Sequence, residues 1–538
     1  MTVRHFSTAW FAAFGLIAAC ASDKPGVGSD VSADAVDASI ETADTASQQE
    51  TVETSVAEDT SEVLGPDSGV DDTSAGETAE TITPLPEIAW VREGAIEVGV
   101  VNVPYNYAAP DGPRFDLRVA RVKHTGPIRE GVILWNFGGP GGEGVPMLEF
   151  VADYFSGPLT SYDFVTWNPR GTDGSDELGC TDDATAWEAI LDAYDGSLEA
   201  SSVEALLETM RDFIDSCRSS NPDLIDHMGY MSWTDDMESI RIALGVEQLS
   251  YFGASAGTAL GAVYAQRYPE RVGRFVLDSN VSPHGGLQAL LMGQAGAADA
   301  LVKEWADWCS GSASCAVRAD PMGILQAVTR RSMNKPLDVD GTSLTYARMA
   351  FGAFWNLYSS DTWAALARDL ADANAEDGSA LLQGARDYMG NTESGGFAPE
   401  AAVAYLTGCS DGIWYPTAEE IADRTLAEEA ASGTAGGLSR LLWLDNLWCT
   451  ALGPVPNAVS PLQGVDAPPM LMLQARFDVA PPLASALTLQ AELDNGSPMA
   501  IWEGASHGAS FYSDCLKDYA DAFFMTGVLP DDGAICED

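Results

Sequence analysis

From Glu87 onward the apolar and polar positions fall into patterns that predict a succession of strands and helices. Ile96 to Val103 and Phe115 to Val122 alternate with period two, as paired strands do, and the turn Pro110-Asp111-Gly112-Pro113 lies between them. Val132 to Phe137 is apolar except for Asn136, the pattern of a strand buried on both faces, and it runs into the stretch GGPGGEG. A shorter strand, Phe164 to Trp167, precedes the turn Asn168-Pro169-Arg170-Gly171. Residues 235 to 244, DDMESIRIAL, put acids first and apolar residues at helical spacing, and Gly245 closes the helix. Strand Leu249 to Phe252, helix Thr258 to Arg267 and strand Phe275 to Asp278 follow.

This alternation predicts an α/β fold with a mostly parallel central sheet and helices on both faces. Between Pro283 and about Val465 the spacing is helical, as in Trp363 to Ala373 and Ser379 to Met389, and strand patterning returns at Met470 to Leu473 and Met499 to Trp502. The predicted organisation is a core over 87–283 and 466–538, with a helical lid over 284–465 inserted between strands 6 and 7. Such a lid would cover the carboxyl edge of the sheet, where open α/β sheets bind ligands.

The first 86 residues are patterned differently. MTVRHFSTAWFAAFGLIAAC has a basic start, an apolar stretch too short to stay in a bilayer as a span, and small residues before Cys20, the features of a secretion signal over 1–20. Its end, Ile17-Ala18-Ala19-Cys20, resembles a bacterial lipobox, which implies lipidation of Cys20. No later segment carries the ~18 apolar residues of a span, so membrane attachment is expected through lipid only. Residues 21–86 are rich in Asp, Glu, Ser, Thr and Ala, with one lysine and no aromatic residue, and are expected to form a disordered acidic linker.

Charge narrows the function. With 80 acidic against 27 basic residues and a net charge of -53, the chain lacks the cations that phosphate backbones require, which argues against nucleic-acid binding. Setting Cys20 aside leaves eight of the nine cysteines, an even number for an oxidising compartment to pair, although eight permit 105 connectivities. No C-x-x-C occurs and the five histidines are scattered, so neither a metal nor a cofactor is expected.

The catalytic candidates come from order along the chain. YFGASAGTAL puts Ser255 between Gly253 and Gly257 on a strand-to-helix turn, the G-x-S-x-G pattern of a nucleophile elbow. A serine hydroxyl needs a base, and the base needs a carboxylate to orient it. His5 lies in the signal, His124 follows an early strand, His227 precedes a helix and His284 opens the lid; His507, in EGASHGAS, follows the last predicted strand. Asp478, in ARFDVAPP, follows the strand before that, whereas Asp466 precedes that strand and Asp494 falls in the next helix. Two backbone donors for a developing oxyanion are expected at Ala256, directly after the serine, and at Gly139 in the glycine stretch.

Three segments, NFGGPGGEG, DFVTWNPRGTDGS and YFGASAGTALGAVYAQRYPERVGRFVLDSNVSP, resemble the tripeptidyl aminopeptidase and proline iminopeptidase family of α/β-hydrolase serine exopeptidases. DTWAALARDLADANAEDGSALL and HGASFYSDCLKDYADAFFMTGVLPDDGAIC are similar to the lid and C-terminal segment of its tripeptidyl branch, and the likeness runs from about residue 88 to 538. Asn168, Ala256, Glu143 and Pro481 depart from the usual residues without removing a candidate triad member. The resemblance implies an α/β-hydrolase fold, peptide substrates, and sequential pairing of Cys180 with Cys217, Cys309 with Cys315, Cys409 with Cys449 and Cys515 with Cys536. It also implies a site for a free α-ammonium, for which Glu143 and Asp411 are the candidates. The expected protein is a lipid-anchored serine exopeptidase of the bacterial cell envelope, at the outer membrane or cell surface. Its alternatives are an esterase or amide hydrolase on the same fold and a silent peptide-binding lipoprotein.

Overall fold

Ten strands form one sheet in the order β1-β2-β3-β5-β4-β6-β7-β10-β11-β12. The computed structural model describes residues 87–538 apart from 152–158, 174–176, 181–182, 391–398, 413, 433–436 and 456–457. The expected signal, Cys20 and the 21–86 linker lie outside the described residues. Strands β1 (Val91–Glu93), β2 (Ile96–Pro104) and β3 (Arg114–Val122) are antiparallel neighbours, and β3 pairs antiparallel with β5 (Tyr162–Trp167). From β5 the sheet is parallel through β4 (Gly131–Asn136), β6 (Leu249–Ala254), β7 (Val272–Asp278), β10 (Leu471–Ala475), β11 (Met499–Trp502) and β12 (Ala534–Cys536).

The unbroken apolar runs of the central strands follow from burial on both faces. On β4, Val132 and Leu134 join one core while Ile133 and Trp135 join the other; on β6, Leu249 and Tyr251 oppose Phe252 and Ala254. Each side chain of this kind contributes roughly 1.5–3 kcal/mol by leaving water, so central β4 and β6 tolerate polar residues poorly. Helices Gly144–Val151 and Asp514–Thr526 cover one face, through Leu148, Leu516 and Phe523 among others. Helices Tyr230–Leu244 and Ala256–Arg267 cover the other.

Between β7 and β10 the chain runs through helices from Gly286–Gly311 to Leu447–Leu452, interrupted by a hairpin of β8 (Leu337–Val339) and β9 (Thr342–Leu344). This helical layer is not built from the insertion alone. Asp183–Ala193 and Ala200–Ser220, which precede β6, pack into it: the Trp187 and Phe213 rings lie 5.4 and 5.7 Å from Trp448, which stacks on Tyr405 at 4.5 Å. The eight cysteines stand in the four sequential pairs, Cys180–Cys217, Cys309–Cys315, Cys409–Cys449 and Cys515–Cys536. Strands β1, β8, β9 and β12 have three residues each, too few to establish a period, and were not expected from the sequence.

Candidate active site

Strand β6 ends at Ala254, helix Ala256–Arg267 begins at once, and Ser255 bridges them at φ 54°, ψ -126°. A non-glycine residue in this region is strained and holds only where its surroundings fix it. The surroundings here are close backbone. A Cβ added to Gly253 would stand 2.5 Å from the Gly257 carbonyl oxygen, and one added to Gly257 would stand 2.8 Å from the Asn136 carbonyl oxygen. The Ser255 amide donates to the Asp278 carbonyl at 2.9 Å, and the Thr258 hydroxyl donates to the Ser255 carbonyl at 2.6 Å. The elbow thus carries its serine at the carboxyl edge of the sheet.

His507 lies past β11 and Asp478 past β10, as their sequence positions require. The His507 Nδ1 is 3.0 Å from both Asp478 carboxylate oxygens, and the Ala480 amide donates to Asp478 Oδ1 at 2.8 Å. Both side chains are buried. Burial works against a charged imidazole, but the Asp478 charge and hydrogen bond outweigh it, with help from Asp278, and His507 is raised above its ordinary 6.5. Ser255 and His507 line one cavity.

The glycine stretch folds back beside the elbow. Gly138, Gly139 and Gly141 have φ of 90°, 112° and 96°, and a Cβ on Gly138 would meet Ser255 Cβ at 2.8 Å and the Ala254 carbonyl oxygen at 2.5 Å. Asn136 Oδ1 accepts from the Gly138 amide at 3.0 Å, which turns the chain sharply as it leaves β4. Gly139 lines the cavity beside Ser255. The amides of Gly139 and Ala256 have no acceptor among the described residues.

The cavity encloses about 1220 Å³ counted out to its open mouth. Apolar side chains such as Leu287, Leu291 and Met147 make up much of its wall, and three carboxylates, Glu143, Glu400 and Asp445, also line it. Burial, with Glu400 next in weight, pushes Glu143 up to about 9. Burial likewise pushes Glu400 up to about 7, and its Oε2 is a buried oxygen with no hydrogen-bond partner among the described residues. Burial pushes Asp445 up to about 7 against a 2.6 Å hydrogen bond donated by the Tyr194 hydroxyl.

Of the two residues expected at the ammonium site, Glu143 reaches the cavity and Asp411 does not. Asp411 is fully buried, and its oxygens accept the Tyr230 amide at 3.1 Å and the Val459 amide at 2.9 Å. It fastens the start of helix Tyr230–Leu244 to the loop before β10, so its position near a cysteine reflects packing. Glu400 and Asp445 were missed. Glu400 stands in the first turn of helix Pro399–Ser410, where an acid is ordinary, and among 80 acidic residues neither has a local signature.

The departure at 168, and Arg170 in the same turn, have structural accounts. Asn168 Oδ1 accepts from the Val145 amide at 2.8 Å, anchoring the helix after the glycine stretch. Arg170, fully buried, donates to both Asp236 oxygens at 2.7 and 2.9 Å and so ties the turn after β5 to helix Tyr230–Leu244.

Comparison with known proteins agrees with this geometry. Residues 133–370 match a family model described as alpha/beta hydrolase fold, and residues 439–536 match one described as TAP-like protein. The chain is 29% identical over 459 residues to a tripeptidyl aminopeptidase of Streptomyces lividans, covering 81% of this chain and 83% of that one. It is 28% identical over 466 residues to the serine protease Hip1 of Mycobacterium tuberculosis, covering 82% and 88%. With an elbow serine, a carboxylate-bound histidine and a mostly parallel sheet, the chain is an α/β-hydrolase of the serine peptidase type, similar over most of its length to tripeptidyl aminopeptidases.

Proposed function

We propose that the protein is a serine exopeptidase that releases short peptides from free N-termini. The observation that carries this reading is a single cavity lined by Ser255 and His507 and also by Glu143 and Glu400, two carboxylates with no Lys or Arg beside them among the described residues of its wall. In the mechanism, His507 takes the Ser255 proton as the hydroxyl oxygen attacks the scissile carbonyl, and Asp478 holds the ring and stabilises its charge. The amides of Gly139 and Ala256 receive the oxyanion, a contribution of about 3 kcal/mol or more per donor. His507 then protonates the leaving amine, and water, deprotonated by the same ring, releases the acyl peptide. Glu143 and Glu400 hold the substrate's ammonium at a fixed distance from Ser255, and the helical insertion is the lid that limits the cavity to a chain end.

The finer placement is part of the same reading. Cys20 carries lipid, residues 21–86 tether the enzyme to the bacterial envelope, and four disulfides suit an oxidising compartment. Hydrolysis of fluorogenic amino-acid, dipeptide and tripeptide amides, with free and acetylated N-termini, tests the activity. Preference for free termini is expected. Equal rates on acetylated and free tripeptides would overturn the exopeptidase reading, and ester hydrolysis without amide hydrolysis would favour the esterase. Incorporation of labelled palmitate, lost in Cys20→Ala, tests the anchor.

A further inference from the structure

Asp278 ends β7 and is fully buried, and both of its carboxylate oxygens point to the loop that follows His507. Oδ1 accepts from the Ala509 amide at 2.9 Å; Oδ2 accepts from the Ser510 amide at 2.9 Å and from the Ser510 hydroxyl at 2.6 Å. The neighbouring Ser279, at φ 61°, accepts from the Gly508 amide through its hydroxyl at 2.9 Å and donates its own amide to the Leu473 carbonyl at 3.0 Å. Three consecutive residues after His507 are therefore held by two consecutive residues at the end of β7. The same Asp278 accepts the Ser255 amide on its backbone oxygen. One residue thus links the elbow that carries the serine to the loop that carries the histidine.

Packing alone does not account for a carboxylate here. A buried charge is costly unless hydrogen bonds satisfy it, and a neutral side chain could fill the space without that cost. A carboxylate whose two oxygens both accept from one loop restrains that loop in direction as well as distance, and its charge lies close to the imidazole. The ionisable groups around the His507 ring are Asp478 on the loop after β10, Asp278 at the end of β7, and Tyr358 of the insertion, whose ring centre lies 5.6 Å away.

We propose that Asp278 is a positioning residue of the catalytic apparatus, setting the place of His507 relative to Ser255 through its hydrogen bonds to Ala509 and Ser510. The inference rests on Ser255 and His507 acting as nucleophile and base. It does not depend on which peptide is cleaved. In this arrangement Asp478 orients the ring from its Nδ1 side, while Asp278 fixes the backbone from which the ring projects.

The test compares the full-length protein with Asp278→Asn and with Ser510→Ala, which removes one donor to the same carboxylate. Three quantities are read: the rate of Ser255 labelling by a fluorophosphonate, kcat and KM against pH, and the melting temperature. Because a misplacement of 1 Å can cost about 100-fold, Asp278→Asn should slow labelling and lower kcat by about that factor with KM nearly unchanged. Ser510→Ala should have a smaller effect in the same direction. The acid limb of the kcat profile should move to lower pH in Asp278→Asn, since removing a nearby negative charge makes His507 easier to deprotonate. A variant with wild-type labelling, or one that loses activity only in proportion to lost fold while the acid limb stays in place, overturns the proposal. If Asp278→Asn does not fold, Ser279→Ala/Ser510→Ala takes its place, and wild-type labelling in that variant also overturns it. Labelling needs no peptide, so a wild-type enzyme that labels but cleaves no peptide would count against the proposed function and leave this inference standing.

Discussion

Ser255 and His507 face the same cavity but are held in different ways. The serine is placed by backbone: β6 ends, the helix begins within one residue, and Gly138, Gly253 and Gly257 pack so closely that none has room for a Cβ. The histidine is placed by side chains and by a second part of the molecule. Asp478 holds its ring, Asp278 and Ser279 hold the residues after it, and the insertion holds its other edge. There its amide donates to the Tyr358 carbonyl at 3.0 Å, and the Ser360 amide donates to the Ala505 carbonyl at 3.0 Å. The serine is therefore held by the sheet and the helix that leaves it, while the histidine is shared between sheet and insertion. A change in the insertion should reach the base first.

The largest effects test whether the two halves form one unit. Ser255→Ala and His507→Ala should each lower turnover on the order of 10⁴-fold or more, because members of a triad lose about as much singly as together. Melting temperatures should stay close to wild type, and peptide hydrolysis at wild-type rates by Ser255→Ala would refute the mechanism. Both halves fail equally here, so the contrast between them must be sought in their supports.

On the serine side the support is steric and unforgiving. Gly138→Ala puts a methyl group 2.5 Å from the Ala254 carbonyl oxygen at a φ of 90°, which should cost at least about 2 kcal/mol of stability and most of the activity. On the histidine side, Ser279→Ala removes a single acceptor from the Gly508 amide and should cost only about 1–2 kcal/mol. Kinetics and thermal unfolding of the two variants measure the difference, and a Ser279→Ala loss as large as that of Gly138→Ala would reverse the comparison.

The same contrast explains what could be read from the sequence. The elbow is local: strand, serine, glycines and helix lie within about twenty residues, and each is required by the next. The strand order that brings Asp478 and His507 to it was legible because both residues follow apolar runs. The supports were not. Asp278 to Ser510 is a contact across 232 residues, and Glu400 reaches the cavity from a helix whose acid resembles an ordinary first-turn residue. Asp411 stands away from the cavity for the converse reason: its carboxylate is taken up by two backbone amides that no local pattern announces. The helices at Asp183–Ala193 and Ala200–Ser220 belong to the layer over the sheet only through Trp187 and Phe213, contacts that a boundary drawn at 283 does not reveal.

Disulfide reduction should act unequally on the two sides. Residues 249–282, which include the elbow, contain no cysteine, whereas Cys515–Cys536 fastens the helix after the His507 loop to β12. From its separation of 21 residues, loss of this bond should cost about 3 kcal/mol, against about 4 kcal/mol for Cys409–Cys449 at 40 and about 2 kcal/mol for Cys309–Cys315 at 6. Hydrogen exchange after reduction should rise in the segment from Gly508 to Thr526 before it rises in Leu249 to Arg267. Simultaneous loss of protection in both would mean that the two sides unfold as one.

The smallest expected effect concerns the proposed ammonium site, which spans the same divide: Glu143 extends from the glycine stretch beside the elbow, Glu400 from the insertion. With Glu143 pushed up to about 9 and Glu400 to about 7, Glu400 carries most of the site's charge near neutrality. A raised carboxylate loses its charge as pH falls through its pKa, so KM for free peptides should rise below pH 7. It should rise again above about 8, where a peptide α-amine gives up its proton. Glu400→Gln should raise KM at neutral pH by about tenfold, the equivalent of about 1.4 kcal/mol, and flatten the acid side of the KM profile while the acid limb of kcat, set by His507, remains. Asp411→Asn should do neither, and instead lower stability by about 1–3 kcal/mol through an amide left without a proper acceptor. Acetylated peptides lack the charge that Glu400 would hold and should show no KM minimum. A minimum that persists with acetylated peptides, or that survives Glu400→Gln, would place the anchor elsewhere and leave the insertion supporting the histidine alone.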